Sequence, residues 1–161
     1  SRGLGDVYKR QKVTCVGVDN EPYSIELART LIAERGLSDR CEARLIDAQR
    51  LAEDGAYDIA TSFLVVHEID PPAKPAAFAA VARALKPGGQ LVIFDETYPT
   101  TDAELRRMPA RFAALAQWFE LTWGNRLNTK PELAELCASA GLRLAEETTF
   151  SRFYIGIAEK R

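Results

Sequence analysis

With 161 residues, 47% of them hydrophobic and 27% charged, the chain has the make-up of one soluble globular domain and can bury a core without disulfides or a structural metal. Its formal charge of -2 gives no electrostatic reason to bind a nucleic-acid backbone or an anionic membrane surface. Three scattered cysteines and a single histidine leave no zinc cluster and no disulfide frame, and no apolar run is long enough to span a bilayer, so the composition predicts a cytoplasmic protein with reduced thiols.

Residues 1–11 (SRGLGDVYKRQ) have no apolar period and differ in character from the rest of the chain. They resemble the translation of a transposase-type sequencing adapter, and we set them apart from the fold as non-native. Arg2, Lys9 and Arg10 against Asp6 contribute +2, so the remaining chain carries -4. Gly3-Leu4-Gly5-Asp6 imitates a glycine-rich phosphate or nucleoside loop, but no strand precedes it. On this reading the native protein enters in mid-domain, at or just before Lys12, and residues 12–161 form a single domain.

Residues 12–19 (KVTCVGVD) are a short β-branched run ending in an acid, the pattern of a buried parallel strand. Asn20-Glu21-Pro22 starts a helix with Asn20 as its cap; Ile25, Ala28, Leu31 and Ile32 share a face, and Gly36 closes it. Strands are predicted over 41–46 and 57–66, the second leading into His67-Glu68-Ile69. A helix after Asp70-Pro71-Pro72 places Phe78, Val81, Ala82 and Leu85 on one face and stops at Lys86-Pro87-Gly88-Gly89. Residues 90–95 (QLVIFD) are the fourth strand. This alternation predicts an α/β fold with a doubly wound parallel sheet. Residues 98–128 break the pattern with one or two helices rich in arginine and aromatics. Thr129-Lys130-Pro131-Glu132 has capping-box spacing and opens a helix with Leu133, Leu136, Cys137 and Ala140 inward, ended by Gly141. Two closing runs, 143–150 and 153–159, are separated by two residues and predict an antiparallel hairpin.

Several of these segments resemble the motifs of class I S-adenosylmethionine-dependent methyltransferases of the small-molecule type. Asp19-Asn20-Glu21-Pro22 with Ile25-Glu26-Leu27-Ala28-Arg29 is similar to the family's second-strand motif, whose acid binds both ribose hydroxyls of the cofactor. A carboxylate can accept from two vicinal hydroxyls at once, although NAD-binding domains place an acid comparably. Asp47-Ala48 resembles the acid and small residue that receive adenine. Tyr57-Asp58-Ile59 through His67-Glu68-Ile69 is similar to the fourth-strand motif that faces methyl donor and acceptor, with Phe63 on the cofactor side. Leu85-Lys86-Pro87-Gly88-Gly89 before an apolar strand is the strongest local signature, and its role is structural.

The resemblance implies a Rossmann-like methyltransferase sheet, mostly parallel with a C-terminal antiparallel hairpin, in the strand order 3-2-1-4-5-7-6. The family's first strand and acidic Gly-x-Gly loop have no counterpart here, so we expect this chain alone to bind the cofactor weakly or not at all. It implies S-adenosyl-L-methionine as cofactor, Asp19, Asn20, Asp47, Ala48 and Phe63 as its contacts, and a small-molecule methyl acceptor. His67, which titrates near neutral pH, is either a general base or a structural group at the strand end. Asp95, Glu96, Tyr98, Trp118 and Trp123 are candidate acceptor contacts, and 98–128 is the substrate-side helical insertion, with Phe112 and Phe119 as further aromatics and Arg106, Arg107 or Arg111 available to an anionic group. No metal is expected. Two rival readings remain: a methyltransferase-like binding protein without catalysis, and an NAD-dependent oxidoreductase, which the Leu-Lys-Pro-Gly-Gly turn and terminal hairpin argue against.

Overall fold

The structure is a computed structural model and describes residues 13–101, 103, 106, 110, 114, 118, 127–150 and 153–161. The chain divides into two compact units, Ser1–Ala48 and Gln49–Arg161.

In the first unit, β1 (Cys15–Asp19) runs parallel to β2 (Cys41–Leu45), with Cys15 opposite Cys41 and Asp19 opposite Leu45. Between them lies α1 (Pro22–Glu34), with Pro22 at its first position, where a missing N–H costs nothing. The cap is Glu21 rather than the expected Asn20. Asp19 Oδ1 accepts the Glu21 N–H at 2.9 Å, which holds Glu21 extended, and the Glu21 carboxylate then accepts the Tyr23 N–H at 3.0 Å. Two carboxylates in relay thus displace the asparagine by one position. Arg35 caps the other end, and Gly36 turns the chain away at φ +62°. Ile25 of α1 and Ala43 of β2 are buried, and the Arg29 Nε–H donates to the Ala43 carbonyl at 2.9 Å.

The second unit contains β3 (Tyr57–Phe63), α2 (Lys74–Ala84), β4 (Leu85–Glu96), α3 (Lys130–Ser139), β5 (Leu142–Phe150) and β6 (Phe153–Lys160). Its sheet has the order β3-β4-β6-β5, with β3 and β4 parallel and the other two pairs antiparallel. Within each unit the described strands keep the neighbours of the expected order: β1-β2 matches its 2-3 adjacency, and β3-β4-β6-β5 matches 4-5-7-6. The C-terminal hairpin is present as predicted.

Strand boundaries shift by one to five residues from the sequence expectation, β1 starting at Cys15 rather than Lys12, and two of the shifts have a clear local cause. The strand expected over 57–66 stops at Phe63, because Leu64 takes φ 54° and Val66–Glu68 form a 3-10 turn that drives Val66 into the core at 1% exposure. Lys86-Pro87-Gly88-Gly89 does more than end a helix. It lies within β4, where the register jumps from Tyr57↔Leu85 to Ile59↔Gln90 and absorbs the reversal. Gly88 sits at φ +74°, and a methyl at Gly89 would lie 2.9, 3.1 and 3.2 Å from the carbonyl oxygens of Lys86, Asp58 and Tyr57. Only glycine lets the backbone of β4 lie that close to the start of β3.

Leu85, Leu91 and Ile93 of β4 and Tyr154 and Ala158 of β6 point into one core, closed by Phe78 and Ala82 of α2, Leu133 and Cys137 of α3, Val66 and Leu142. The predicted inner face of α3 holds: Leu133 and Cys137 are buried and Leu136 and Ala140 pack beside them. Its capping box is formed as expected. Thr129 Oγ1 accepts the Glu132 N–H at 3.3 Å, and Glu132 Oε2 accepts the Thr129 N–H at 2.7 Å. Thr97 bridges Asn128, and the Tyr98 N–H donates to the Asn128 carbonyl at 2.9 Å, so the chain leaves β4 and returns toward α3 at one point. Between these ends, Ala103, Arg106, Ala110, Ala114 and Trp118 are helical and exposed. Among the described residues, no helix is long and apolar enough to cross a membrane.

Candidate functional site

The chemistry-bearing residues of the second unit gather at the carboxyl ends of its two parallel strands. β3 delivers His67 through the turn at Leu64 and Val66–Glu68, and β4 delivers Asp95 near its last position. His67 Nδ1 lies 2.5 Å from Asp95 Oδ1. The other carboxylate oxygen accepts the His67 backbone N–H at 3.3 Å, and Oδ1 also accepts the Glu96 N–H at 2.7 Å. Asp95 is fully buried, whereas the His67 side chain keeps 17% of its surface. With its two oxygens accepting from three donors, Asp95 orients the ring so that Nδ1 carries the proton of this contact. The other ring nitrogen, Nε2, lies 3.2 Å from Glu68 Oε1. The hydrogen bond to Asp95 holds the His67 pKa above the ordinary histidine value of 6.5; burial opposes this, and the charges of Asp95, Glu68 and Glu96 add to it.

Sequence reasoning put Asp95 among acceptor contacts. It lies behind His67 instead, because alternation along β4 turns Leu91, Ile93 and Asp95 to the buried face. Glu96, on the opposite face, is half-buried, as is Tyr98. Trp118 is 52% exposed, and Trp123, Phe112, Phe119, Arg107 and Arg111 lie outside the described residues. Phe63, 66% exposed, stacks on Phe94 with ring centroids 4.6 Å apart, and Phe94 stacks on Phe153 at 5.2 Å. This aromatic ladder covers the sheet face opposite the core. Sequence reading missed both the His67–Asp95 pair and the ladder; one phenylalanine in each of three apolar runs was the signal of the latter.

In the first unit, Asp19 ends β1 and Asp47-Ala48 follow β2, so both carboxylates lie at the carboxyl end of a parallel pair. Asp19 is exposed, with one oxygen on the Glu21 N–H, and Asn20 beside it is exposed. Asp47 and Ala48 are half-buried. Carboxylates at strand ends next to a helix start suit the vicinal hydroxyls and amino group of a nucleoside.

Comparison with known proteins gives this arrangement a family. The family described as a methyltransferase domain matches residues 3–89, more than half of the chain, beginning inside the adapter-like stretch. Aclacinomycin 10-hydroxylase RdmB of Streptomyces purpurascens is 34% identical over 125 residues, 77% of this chain and 32% of that protein. Sterol 4-C-methyltransferase strm-1 of Caenorhabditis elegans is 31% identical over 80 residues, 49% of this chain and 23% of its own length. The chain therefore spans a third or less of these two relatives. Among solved structures, the mitomycin 7-O-methyltransferase MmcR superposes with a TM-score of 0.75 at 21% identity, over 93% of this chain and 49% of that one, a likeness of fold. With its leading motifs inside the matched stretch and the strand neighbours within each unit as expected, the chain belongs to the methyltransferase-domain family.

Proposed function

We propose that the protein carrying this chain transfers the methyl group of S-adenosyl-L-methionine to a small-molecule acceptor, and that His67 removes the acceptor's proton. The observation that carries this reading is the His67–Asp95 pair at the carboxyl ends of two adjacent parallel strands, where ligands of open α/β sheets bind. Bound S-adenosylmethionine supplies a methyl carbon already activated by its sulfonium centre, so the protein's work is alignment and proton handling.

Asp19 offers the ribose hydroxyls a carboxylate oxygen, Asp47 accepts from the adenine amino group, and Ala48 leaves room for the ring. Phe63, held flat by Phe94, presents an apolar face to the cofactor side. His67 Nε2 takes the proton of an acceptor O–H or N–H while Asp95 keeps the ring oriented through Nδ1 and steadies the imidazolium that forms. Glu68 stands where it can share that proton. Glu96, Tyr98 and Trp118 are the proposed acceptor contacts, and Trp123 is proposed as a further one from the sequence alone.

A second reading comes from the relative named as a hydroxylase, since one fold hosts unrelated chemistries. Labelled methyl transfer to a panel of small phenols and amines, scored together with release of S-adenosylhomocysteine, separates the two. The proposal expects one methylated product per S-adenosylhomocysteine, a loss of about 10²–10⁴-fold in His67→Gln with cofactor affinity kept, and a loss of cofactor affinity in Asp19→Asn. Equal rates for wild type and His67→Gln would remove His67 from the chemistry. Cofactor binding without consumption would favour the second reading.

A further inference from the structure

The first unit holds two thiols that methyl transfer does not use. Cys15 opens β1 and Cys41 opens β2, and in the parallel register they are direct partners. Register partners point to the same face of a sheet, and neighbouring strands lie ~4.8 Å apart, inside the ~4.4–6.8 Å over which two cysteine Cα atoms can be bridged. Cys15 is exposed, Cys41 is half-buried, and both are free. A hollow lined by Arg29, Ile32, Ser38 and Glu42 opens beside Cys41. The third cysteine gives an internal contrast. Cys137 is buried in the core of the second unit, and burial pushes its thiol up to about 11.

We infer that Cys15 and Cys41 form a modification site, a thiol pair that closes reversibly into an intramolecular disulfide when it meets a small disulfide oxidant such as oxidised glutathione. The thiolate of exposed Cys15 attacks one sulfur of the oxidant, breaks its S–S bond and releases one glutathione thiolate, which takes up a proton. The Cys41 thiolate then attacks the Cys15 sulfur of the mixed disulfide, forms the Cys15–Cys41 bond and releases the second glutathione. Two cysteines are oxidised and one disulfide is reduced to two thiols. Flat register partners keep their Cβ atoms nearer the strand spacing than the ~3.5–4.5 Å of a relaxed bridge, so closure has to draw two strand starts together. Val13 and Thr14 precede β1 outside the ladder, and the Cys15 N–H donates to the Arg40 carbonyl at 2.8 Å, the backbone bond that closure would have to bend. A bridge closed under strain is easily reduced, which suits a reversible mark better than a structural staple.

The test is incubation of the native chain with excess oxidised glutathione, alkylation of the remaining thiols and peptide mass spectrometry under non-reducing conditions. The expected result is a Cys15–Cys41 linked peptide, reversed by a dithiol reductant, with Cys137 alkylated only after unfolding. In Cys41→Ser, Cys15 should stop at a stable glutathione adduct. Wild type that carries separate glutathione adducts on both residues, forms only chain-to-chain dimers, or does not react would overturn the inference. The wild-type measurement decides the matter even where a serine variant misfolds.

Discussion

The two compact units use the same parallel pairing and bury very different amounts of it. Along β1 the residues alternate between exposed and half-exposed, and among the described residues of the first unit Ile25 and Ala43 are the buried hydrophobics. In the second unit, β4 and β6 bury every second residue against two helices. Parallel strands are stable when both faces are covered, and one helix over a two-stranded pair covers little. The His67–Asp95 pair, proposed to handle the acceptor's proton, therefore stands on the thick frame, while Asp19 and Asp47, proposed to hold the cofactor, stand on the thin one.

Hydrogen exchange probes that contrast most directly. Amides of β4 and β6 should open only with global unfolding and exchange about 10³-fold or more slowly than those of β1 and β2; equal protection would break the comparison. Next in size are paired truncations followed by thermal unfolding. Ile93→Ala, at a fully buried position, should cost about 2–5 kcal/mol, whereas Val16→Ala on half-exposed β1 should cost less than about 1 kcal/mol. Glycines sharpen the same point. Gly89→Ala meets three backbone oxygens and should cost about 1–3 kcal/mol. Gly36→Ala, at φ +62° with nothing within 4 Å, should cost about 1 kcal/mol from backbone strain alone.

The smallest effect is the pH dependence of the second unit. The folded pKa of His67 is raised above the unfolded value of 6.5, so the stability it contributes is fully present below 6.5 and is lost as pH rises through the raised folded value. Urea midpoints of wild type should fall across that window, and those of His67→Gln should not. Asp95→Asn removes the first cause of the shift. It should also move the pH limb of methyl transfer downward, toward that of an ordinary histidine. A limb that stays in place would dissociate Asp95 from His67.

Much of the second unit was legible from residue order alone. The capping box at Thr129, the inner face of α3, the glycine stop at Gly141 and the closing hairpin depend on neighbours within a few residues, and each formed as its local chemistry dictates. The end of β3 was not legible, because Leu64 and Val65 continue an apolar run and only the buried slot that receives Val66 stops the strand. The His67–Asp95 contact spans 28 positions and comes from the register of β3 on β4, which no local pattern encodes. Asn20 failed as a cap for a smaller reason: either of two adjacent residues could satisfy the helix start, and the Asp19–Glu21 bond decided between them.

Tyr154 lies fully buried with its ring against Gly156, where any side chain would meet it at 2.6 Å, and its hydroxyl donates to Glu147 at 3.3 Å. Burial, with the Glu147 charge behind it, drives its phenol far above the ordinary value of 10. Alkaline titration followed at the near-ultraviolet phenolate band should show this ring ionising only as the core opens, which makes its absorbance a reporter of that opening. Above pH 10 the unfolded chain gains an ionisation that the folded one is denied, and alkali should pull the second unit apart through this buried ring.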